Sequence, residues 1–262
     1  MVRVLVIVAV VGFVLTIACF SGAAALGGRA LAESGLPLPW AWGHWNWDDD
    51  DDDARPGDRD SPNATREIAW TGGEDLAIAL PADVVFTQGP TAKLTVTGPK
   101  RVVDRVIVED GKLRFAGRHG GRWGLHDARL QVAVSSPDTH SFSLAGSPNL
   151  RIADFKQDRL RVAIMGSGDV TGAGQAKRVD VAIFGSGDAN LAGVAAEEAD
   201  VKIMGSGDAS VAPRDYADVA IFGSGDVDLA VRPAKLSSHI AGSGKVLQHD
   251  AVAAAVPPPA AR

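Results

Sequence analysis

A four-residue motif, Gly-Ser-Gly-Asp, recurs through the second half of this 262-residue chain at nearly constant spacing. Four full copies lie between a degenerate Gly-Ser-Pro-Asn copy and a last copy that ends in lysine. The intervals between first glycines are 20, 19, 20, 18 and 19 residues. This period is typical of stacked repeats, in which each unit buries its apolar side chains against its neighbours. The copies begin at Gly146, Gly166, Gly185, Gly205, Gly223 and Gly242.

Columns of like residues emerge when the repeats are written in register. Two positions before each first glycine the residue is aliphatic: Leu144, Ile164, Ile183, Ile203, Ile221 and Ile240. Two positions earlier it is usually valine, and polar or small residues separate the two columns, as in a strand with one buried face. A second alternating segment follows each motif. Each repeat therefore predicts a strand, a tight corner, a second strand and a variable return segment, so that residues 140–248 form a parallel β-solenoid of about 19-residue coils.

The residue just before each motif should point away from the isoleucine column, because side chains alternate along a strand. Two interpretations remain open for this outward column. A neighbouring segment covers it, or it forms an exposed apolar stripe used for association. Its members are Ala145, Met165, Phe184, Met204, Phe222 and Ala241.

The aspartates of the motif also form a column, Asp169, Asp188, Asp208 and Asp226. We expect the glycines to permit positive φ or close backbone approach, and the Ser and Asp side chains to accept backbone hydrogen bonds. A calcium ladder is the alternative. The motif differs from the calcium-binding nonapeptide in the position of its aspartate and in its doubled period. We therefore predict no metal-binding residue.

Residues 66–138 show shorter, non-repetitive stretches of period-two alternation bounded by Gly, Pro and Asp, which predict half-buried strands. Glu109-Asp110-Gly111 lies between two such stretches. It predicts a hairpin turn in which Gly111 has positive φ.

The amino terminus carries an almost unbroken apolar run, residues 4–26, preceded by Arg3. It is long enough to cross a bilayer as a helix, and the preceding cation favours export of the rest of the chain. A cleaved signal peptide and lipoprotein processing at Cys19 are the alternatives. A spacer rich in tryptophan follows and includes six consecutive aspartates, Asp48–Asp53. This composition predicts a solvated linker.

Several functional classes are disfavoured by composition. The net charge is −6, and no basic excess exists of the kind that nucleic-acid binding requires. Cys19 is the single cysteine, so the predicted domain has no disulfide and no thiol chemistry. An identical aspartate in each coil indicates a repeated structural role rather than a single active site. We therefore predict a non-enzyme with no catalytic residue and no cofactor, and treat a carbohydrate-active β-helix enzyme as the weaker alternative.

The residues from about 66 to 248 resemble the auto-transporter adhesin head (GIN) domain family of bacterial cell-envelope proteins. The resemblance rests on Arg66-Glu67-Ile68, the block from Leu80 to Gly89, the stretch from Leu94 to Gly98, and Gly111-Lys112-Leu113, followed by the repeats. It implies a right-handed β-helix and an exported protein, and it transfers no catalytic or binding residue. Pro148-Asn149 departs from the repeat pattern.

Together these features predict an all-β, right-handed parallel β-helix behind a short irregular β segment and an amino-terminal hydrophobic helix. We expect a cell-envelope protein anchored in the membrane through residues 4–26, with its β domain periplasmic or extracellular, or secreted to the periplasm after signal cleavage. Its role would be to bind a protein or glycan ligand or to present a structure, with a calcium-dependent module as the alternative. The predicted segments are 1–28 (anchor or signal), 29–65 (disordered linker), 66–248 (β-helix domain, with 66–138 irregular and 140–248 repeats) and 249–262 (disordered tail).

Overall fold

The structure, a computed structural model of the chain, describes residues 62–116 and 129–249. These residues form strands almost throughout, with one short helix, α1 (Lys100–Val103). The strands are β1 (Asn63–Ile68), β2 (Asp75–Ile78), β3 (Ala82–Gln88), β4 (Lys93–Pro99), β5 (Val106–Glu109), β6 (Lys112–Phe115), β7 (Leu130–Ser136), β8 (Ser141–Gly146), β9 (Asn149–Lys156), β10 (Arg159–Gly166), β11 (Asp169–Gln175), β12 (Arg178–Gly185), β13 (Ala189–Gly205), β14 (Ala209–Gly223), β15 (Val227–Leu229), β16 (Lys235–Gly242) and β17 (Val246–Gln248).

Parallel pairing arranges the strands in two long ladders, which meet at the Gly-rich corners. The first ladder runs in space through β6, β2, β8, β10, β12, the later halves of β13 and β14, and β16. The second runs through β7, β3, β9, β11, the early halves of β13 and β14, β15 and β17. One strand from each ladder makes a tier of the stack. The predicted all-β solenoid is confirmed.

The isoleucine column forms one interior file, as predicted. Ile164 is paired with Ile183, Ile183 with Ile203, and Ile203 with Ile221, at one position of successive tiers. All four side chains are fully buried. Burying an isoleucine contributes on the order of 1.5–3 kcal/mol, so the file is a major source of stability.

Each Gly-Ser-Gly corner depends on its two glycines, because successive corners stack backbone against backbone. The first glycine of a motif has positive φ, as at Gly185 (136°) and Gly205 (143°). A Cβ on Gly185 would collide with the carbonyl oxygen of Gly166 in the preceding tier. A Cβ on the second glycine, Gly187, would collide with the carbonyl oxygen of Gly168. Both expected roles of glycine, positive φ and close approach, are present.

The front segment contributes more to the solenoid than its sequence suggests. β2 lies parallel to β8, with Ile78 beside Leu144, and β3 lies parallel to β9, with Asp83 beside Asn149. β6 and β7 form a further tier on the other side of β2 and β3. The segment predicted as irregular thus supplies two tiers of the same stack. Its first strand, β1, begins inside the stretch predicted as linker.

The two ends of the stack differ. At the front end, β4 pairs antiparallel with β7, β1 pairs antiparallel with β4, and β5 with β6. The predicted hairpin turn joins β5 to β6, and Asp110 and Gly111 have φ of 48° and 72°. At the last end, within residues 62–116 and 129–249, β16 is paired only with β14 and β17 only with β15.

Several predictions fall outside the described residues: the hydrophobic segment 4–26, the greater part of the linker, and the tail from residue 250 on. Within the described ranges, no helix has the length and apolar character needed to span a bilayer.

Candidate functional site

The outer face of the first ladder carries the apolar stripe, which we define as Met165, Phe184, Met204 and Phe222. These side chains occupy one register position in four successive tiers. Strand alternation turns them away from the buried isoleucines one residue earlier. The stripe therefore runs along the stack, perpendicular to its strands.

The stripe is partly open to solvent, and its two later members are more exposed than its two earlier ones. Met165 and Phe184 are half-buried, whereas Met204 is 42% and Phe222 39% exposed. The ring of His239, from the last tier, lies 5.8 Å from the ring of Phe222. Of the two sequence interpretations, complete cover by a neighbouring segment is wrong for Met204 and Phe222. The later half of the stripe is an accessible apolar surface.

A row of small residues separates the stripe from a charged network on the same face. The row holds Ala163, Ala182 and Ala220, with Lys202 among them. Beyond this row, Arg161, Asp180, Asp200 and Asp218 share a register position. The outer face is therefore apolar beside the corner and ionic near the beginnings of the strands.

Asp180 is the centre of the charged network. It is 3% exposed, and three arginines surround it. The Nε atoms of Arg159 and Arg178 donate to its two oxygens at 2.8 and 2.7 Å, and Arg161 Nε lies 3.7 Å away. A buried carboxylate is tolerated only when it is paired and hydrogen-bonded, and the arginines meet that requirement. The cluster ties neighbouring tiers together.

The next carboxylate in the row is held less favourably. Lys202 Nζ lies 3.3 Å from Asp200 Oδ1, and Arg178 Nη2 lies 3.4 Å from Asp200 Oδ2. Burial nevertheless raises the pKa of Asp200, and the carboxylates of Asp180 and Asp218 act in the same direction. The hydrogen bond to Asp180 raises the pKa of Arg178, so this arginine stays charged at every ordinary pH.

The aspartate column is a chain of side-chain-to-backbone hydrogen bonds. In each case Oδ1 of one aspartate accepts the backbone N–H of the corresponding residue in the next tier. Asp188 accepts from Asp208 N at 2.8 Å, Asp208 from Asp226 N at 2.7 Å, and Asp226 from Lys245 N at 2.8 Å. The first link, from Asp188 N to Asp169, is 3.2 Å long. The expected turn role of these aspartates is present, and each one acts on the tier that follows it.

Asp83 begins this column, and the sequence motif does not identify it. Its Oδ1 accepts hydrogen bonds from Asn149 Nδ2 at 2.8 Å and from Arg129 Nη1 at 3.0 Å. Its corner reads Leu80-Pro81-Ala82-Asp83, without glycine. The spacing could have identified Asp83 from the sequence, because Asp83 follows Ile78 by five residues, as Asp169 follows Ile164.

The described residues contain no group of three or more His, Cys, Asp or Glu side chains arranged to hold a metal ion. The aspartates stack one per tier, and one oxygen of each is taken by a backbone N–H. That geometry gives the column a structural role at every tier.

Comparison with known families identifies the fold. A family model described as "Putative auto-transporter adhesin, head GIN domain" matches residues 74–246. The chain belongs to this family. The matched range begins just before β2 and ends in β17, so this adhesin head domain includes the front tiers as well as the Gly-Ser-Gly-Asp repeats. The resemblance inferred from the sequence is confirmed.

Several solved structures are similar to this adhesin head domain. The crystal structure of a "putative adhesin" from Bacteroides fragilis is 19% identical, has a TM-score of 0.57, and covers 72% of this chain and 97% of that chain. A "putative adhesin" and a "putative lipid binding protein" from Parabacteroides distasonis, each 19% identical, give TM-scores of 0.49 and 0.46. The former match covers 72% of this chain and 98% of that one, and the latter covers 71% and 96%. The likeness to the first structure shows the fold. No curated protein matches the chain at a significant level.

Proposed function

We propose that this protein is an exported, membrane-anchored cell-envelope protein whose solenoid binds a protein or glycan ligand in a non-catalytic role. Membership of the adhesin head family supports an envelope location and a binding role. The observation that carries the proposed binding face is the apolar stripe, whose members Met204 and Phe222 are large, apolar and accessible.

The stripe has the properties that favour recognition. Phenylalanine and methionine are enriched at interfaces, where the thioether adapts to irregular surfaces and the ring supplies a large contact area. The first-ladder strands beneath, from β10 to β14, are hydrogen-bonded on both sides. Such a scaffold loses little backbone entropy when a ligand binds. Aromatic and apolar side chains held on a rigid sheet suit a protein surface or the apolar face of a sugar.

A paired substitution tests this face. The full-length protein in mild detergent would be screened against a glycan array and against solubilised envelope proteins. We expect the double variant Met204→Ser, Phe222→Ser to lose at least about tenfold in affinity for any ligand found, because truncating central apolar contacts costs more than about 1 kcal/mol each.

Val85→Ser is the matched control, since Val85 is equally exposed (43%) but lies on β3, in the second ladder. If the double variant and the control bind as the wild type does, the stripe is not the binding face. Unchanged melting temperatures would show that the substitutions act on binding.

Anchoring is the second part of the proposal and rests on the apolar run at residues 4–26. Cell fractionation combined with the mass of the mature amino terminus distinguishes the alternatives. An intact leader in the membrane fraction supports the anchor. A soluble periplasmic chain that lacks the leader supports signal cleavage, and a lipid attached to Cys19 supports the lipoprotein alternative.

Two finer features complete the proposal. We take the coil to be right-handed, since parallel strand crossovers have that hand in nearly all known cases. We take calcium to be dispensable, because the aspartate column already bonds to backbone N–H groups. A melting temperature that rises by several degrees with calcium and falls with a chelator would contradict the second choice.

A further inference from the structure

The last strand of the first ladder, β16, has a neighbour on one side only among the described residues. In a parallel ladder, alternate residues direct their N–H and C=O groups to alternate neighbours. Arg161 N–H bonds back to the preceding tier, to His140 O at 2.8 Å, and its column continues through successive tiers to Ser237. Leu236, Ser238 and Ile240 therefore direct their backbone groups away from β14, toward the open edge.

The same three residues carry the inward-facing side chains of β16. Their partners in β14, namely Ala217, Val219 and Ile221, are fully buried, whereas Leu236 is half-buried and Ile240 is 41% exposed. Within the described part of the chain, the edge thus combines unpaired backbone groups with exposed apolar side chains. Such an edge is a template for another strand.

The sequence of this edge is nearly palindromic. Read along the inward face it is Leu236, Ser238, Ile240, with a polar residue between two aliphatic ones. When two copies of the strand are placed antiparallel with Ser238 at the centre, Leu236 of each copy lies opposite Ile240 of the other, and the two Ser238 residues lie opposite each other. Lys235 falls opposite Ala241, so no like charges meet across the edge.

We propose that β16 pairs antiparallel with β16 of a second copy of this chain, about a two-fold axis at Ser238. The three residues with free backbone groups would then form three mutually bonded pairs with their partners, about six hydrogen bonds in all. Leu236 of each copy covers Ile240 of the other. The two solenoids become one continuous stack, joined at their last tiers.

The neighbouring register on the amino-terminal side fits less well. An axis at Ser237 places Leu236 opposite Ser238, leaves Ile240 opposite Ala234, and brings Lys235 opposite His239. The axis at Ser238 is therefore favoured by both the apolar and the charged residues.

The front end explains why the assembly closes at two copies. There, antiparallel β4, β1 and β5 flank the parallel tiers, so the described part of the chain has one open end of this kind. A self-complementary contact through a single end gives a closed dimer rather than a filament.

Position-specific cross-linking in the full-length chain tests the proposal. Cys19 is the single cysteine, so Cys19→Ser provides a thiol-free background. In an antiparallel hydrogen-bonded pair, opposed Cα atoms lie about 5.5 Å apart, within the range that a disulfide spans. We expect Ser238→Cys to give a disulfide-linked dimer under mild oxidation at no less than about ten times the yield of Ser237→Cys, since Ser237 faces His239 of the other copy.

The mass of the protein in detergent solution provides an independent test of the dimer. Ile240→Lys should convert the dimer to a monomer, whereas Met204→Lys should not, although the two parent side chains are equally exposed (41% and 42%). Equal cross-linking at positions 237 and 238, or none at either, overturns the proposal. So does a dimer that forms only after residues 250–262 are removed, because the tail would then be the occupant of the edge.

Discussion

The tier that holds Ile203 and the tier that holds Ile240 share one sequence pattern but differ in burial. Ile203 has paired strands on both sides and is fully buried, whereas Ile240, among the residues that the structure describes, has a paired strand on one side only and is 41% exposed. Both have the same Gly-Ser-Gly corner and an inward isoleucine at the same position, although Ser238 stands in the last tier where Val201 stands in the earlier one. The repeat therefore specifies a strand and its register, whereas the burial of its side chains depends on a neighbouring strand on each side.

The largest expected difference between the two tiers is at the corner glycine. Gly205→Val would place a branched side chain at φ 143° and against the carbonyl oxygen of Gly185. We expect a loss of more than about 3 kcal/mol in the free energy of unfolding. Gly242→Val meets the same obstacle against Gly223, but the last tier can move away from the stack.

Thermal melting and hydrogen exchange separate these outcomes. Gly205→Val should lower the melting temperature of the whole domain, whereas Gly242→Val should increase exchange only in β16 and β17. A global loss of similar size in both variants would contradict the distinction between the tiers.

The isoleucines give the next largest effect. Ile203→Ala creates a cavity in the middle of the file and should cost about 2–5 kcal/mol. Ile240→Ala removes a side chain that is only partly buried, and should cost less than about 1 kcal/mol in the monomer. Chemical denaturation at low protein concentration measures both. Equal losses would mean that the last tier is covered in solution.

The aspartate column gives a smaller effect. Asp208→Ala removes the acceptor of Asp226 N–H, and we expect a cost of about 1 kcal/mol. Asp226→Ala removes the acceptor of Lys245 N–H in the last tier, where water replaces it at smaller cost. Asp208→Asn is the control, because it keeps an acceptor oxygen while removing the charge. Its stability in urea should stay close to that of the wild type.

The smallest effect is electrostatic and belongs to an interior position, Asp200, whose place in the last tier is taken by Ser237. The folded pKa of Asp200 is raised, so its charged form costs stability. That cost is absent well below pH 3.8, the ordinary value, and complete above the folded pKa. Asp200→Asn should therefore become more stable relative to the wild type as pH rises toward neutrality, by less than the effects in the aspartate column, because the contact with Lys202 offsets part of the cost of burial. Denaturation at several pH values measures the difference in the free energy of unfolding between Asp200→Asn and the wild type. If the advantage of the variant shrinks as pH rises, the expectation is wrong.

The interior of the solenoid was predictable from sequence because it is repetitive. The position of Ile164 relative to Gly166 recurs at Ile183 and Ile203, so register follows from spacing alone. The aspartate column was predictable for the same reason. The direction of its bonds, from one aspartate to the backbone of the next tier, depends on side-chain geometry that spacing does not determine.

The front tiers were not predictable in the same way, because strands that lie side by side there are not consecutive in the sequence. β3 lies beside β9, yet β4 to β8 intervene in the sequence. The corner before Asp83 also lacks the glycines that marked the others. Partial exposure of the stripe was left open by the sequence, since alternation gives a side chain's direction and not what covers it.

The one-way hydrogen bonds of the aspartate column have a consequence for how the chain acquires its structure. Asp169, Asp188, Asp208 and Asp226 each serve a tier that is encoded later in the chain. The front tiers are encoded before any of them. During synthesis or export from the amino end, each tier from that of Asp188 onward thus follows a tier that already carries its acceptor, and this part of the molecule can grow one layer at a time in the direction of translation.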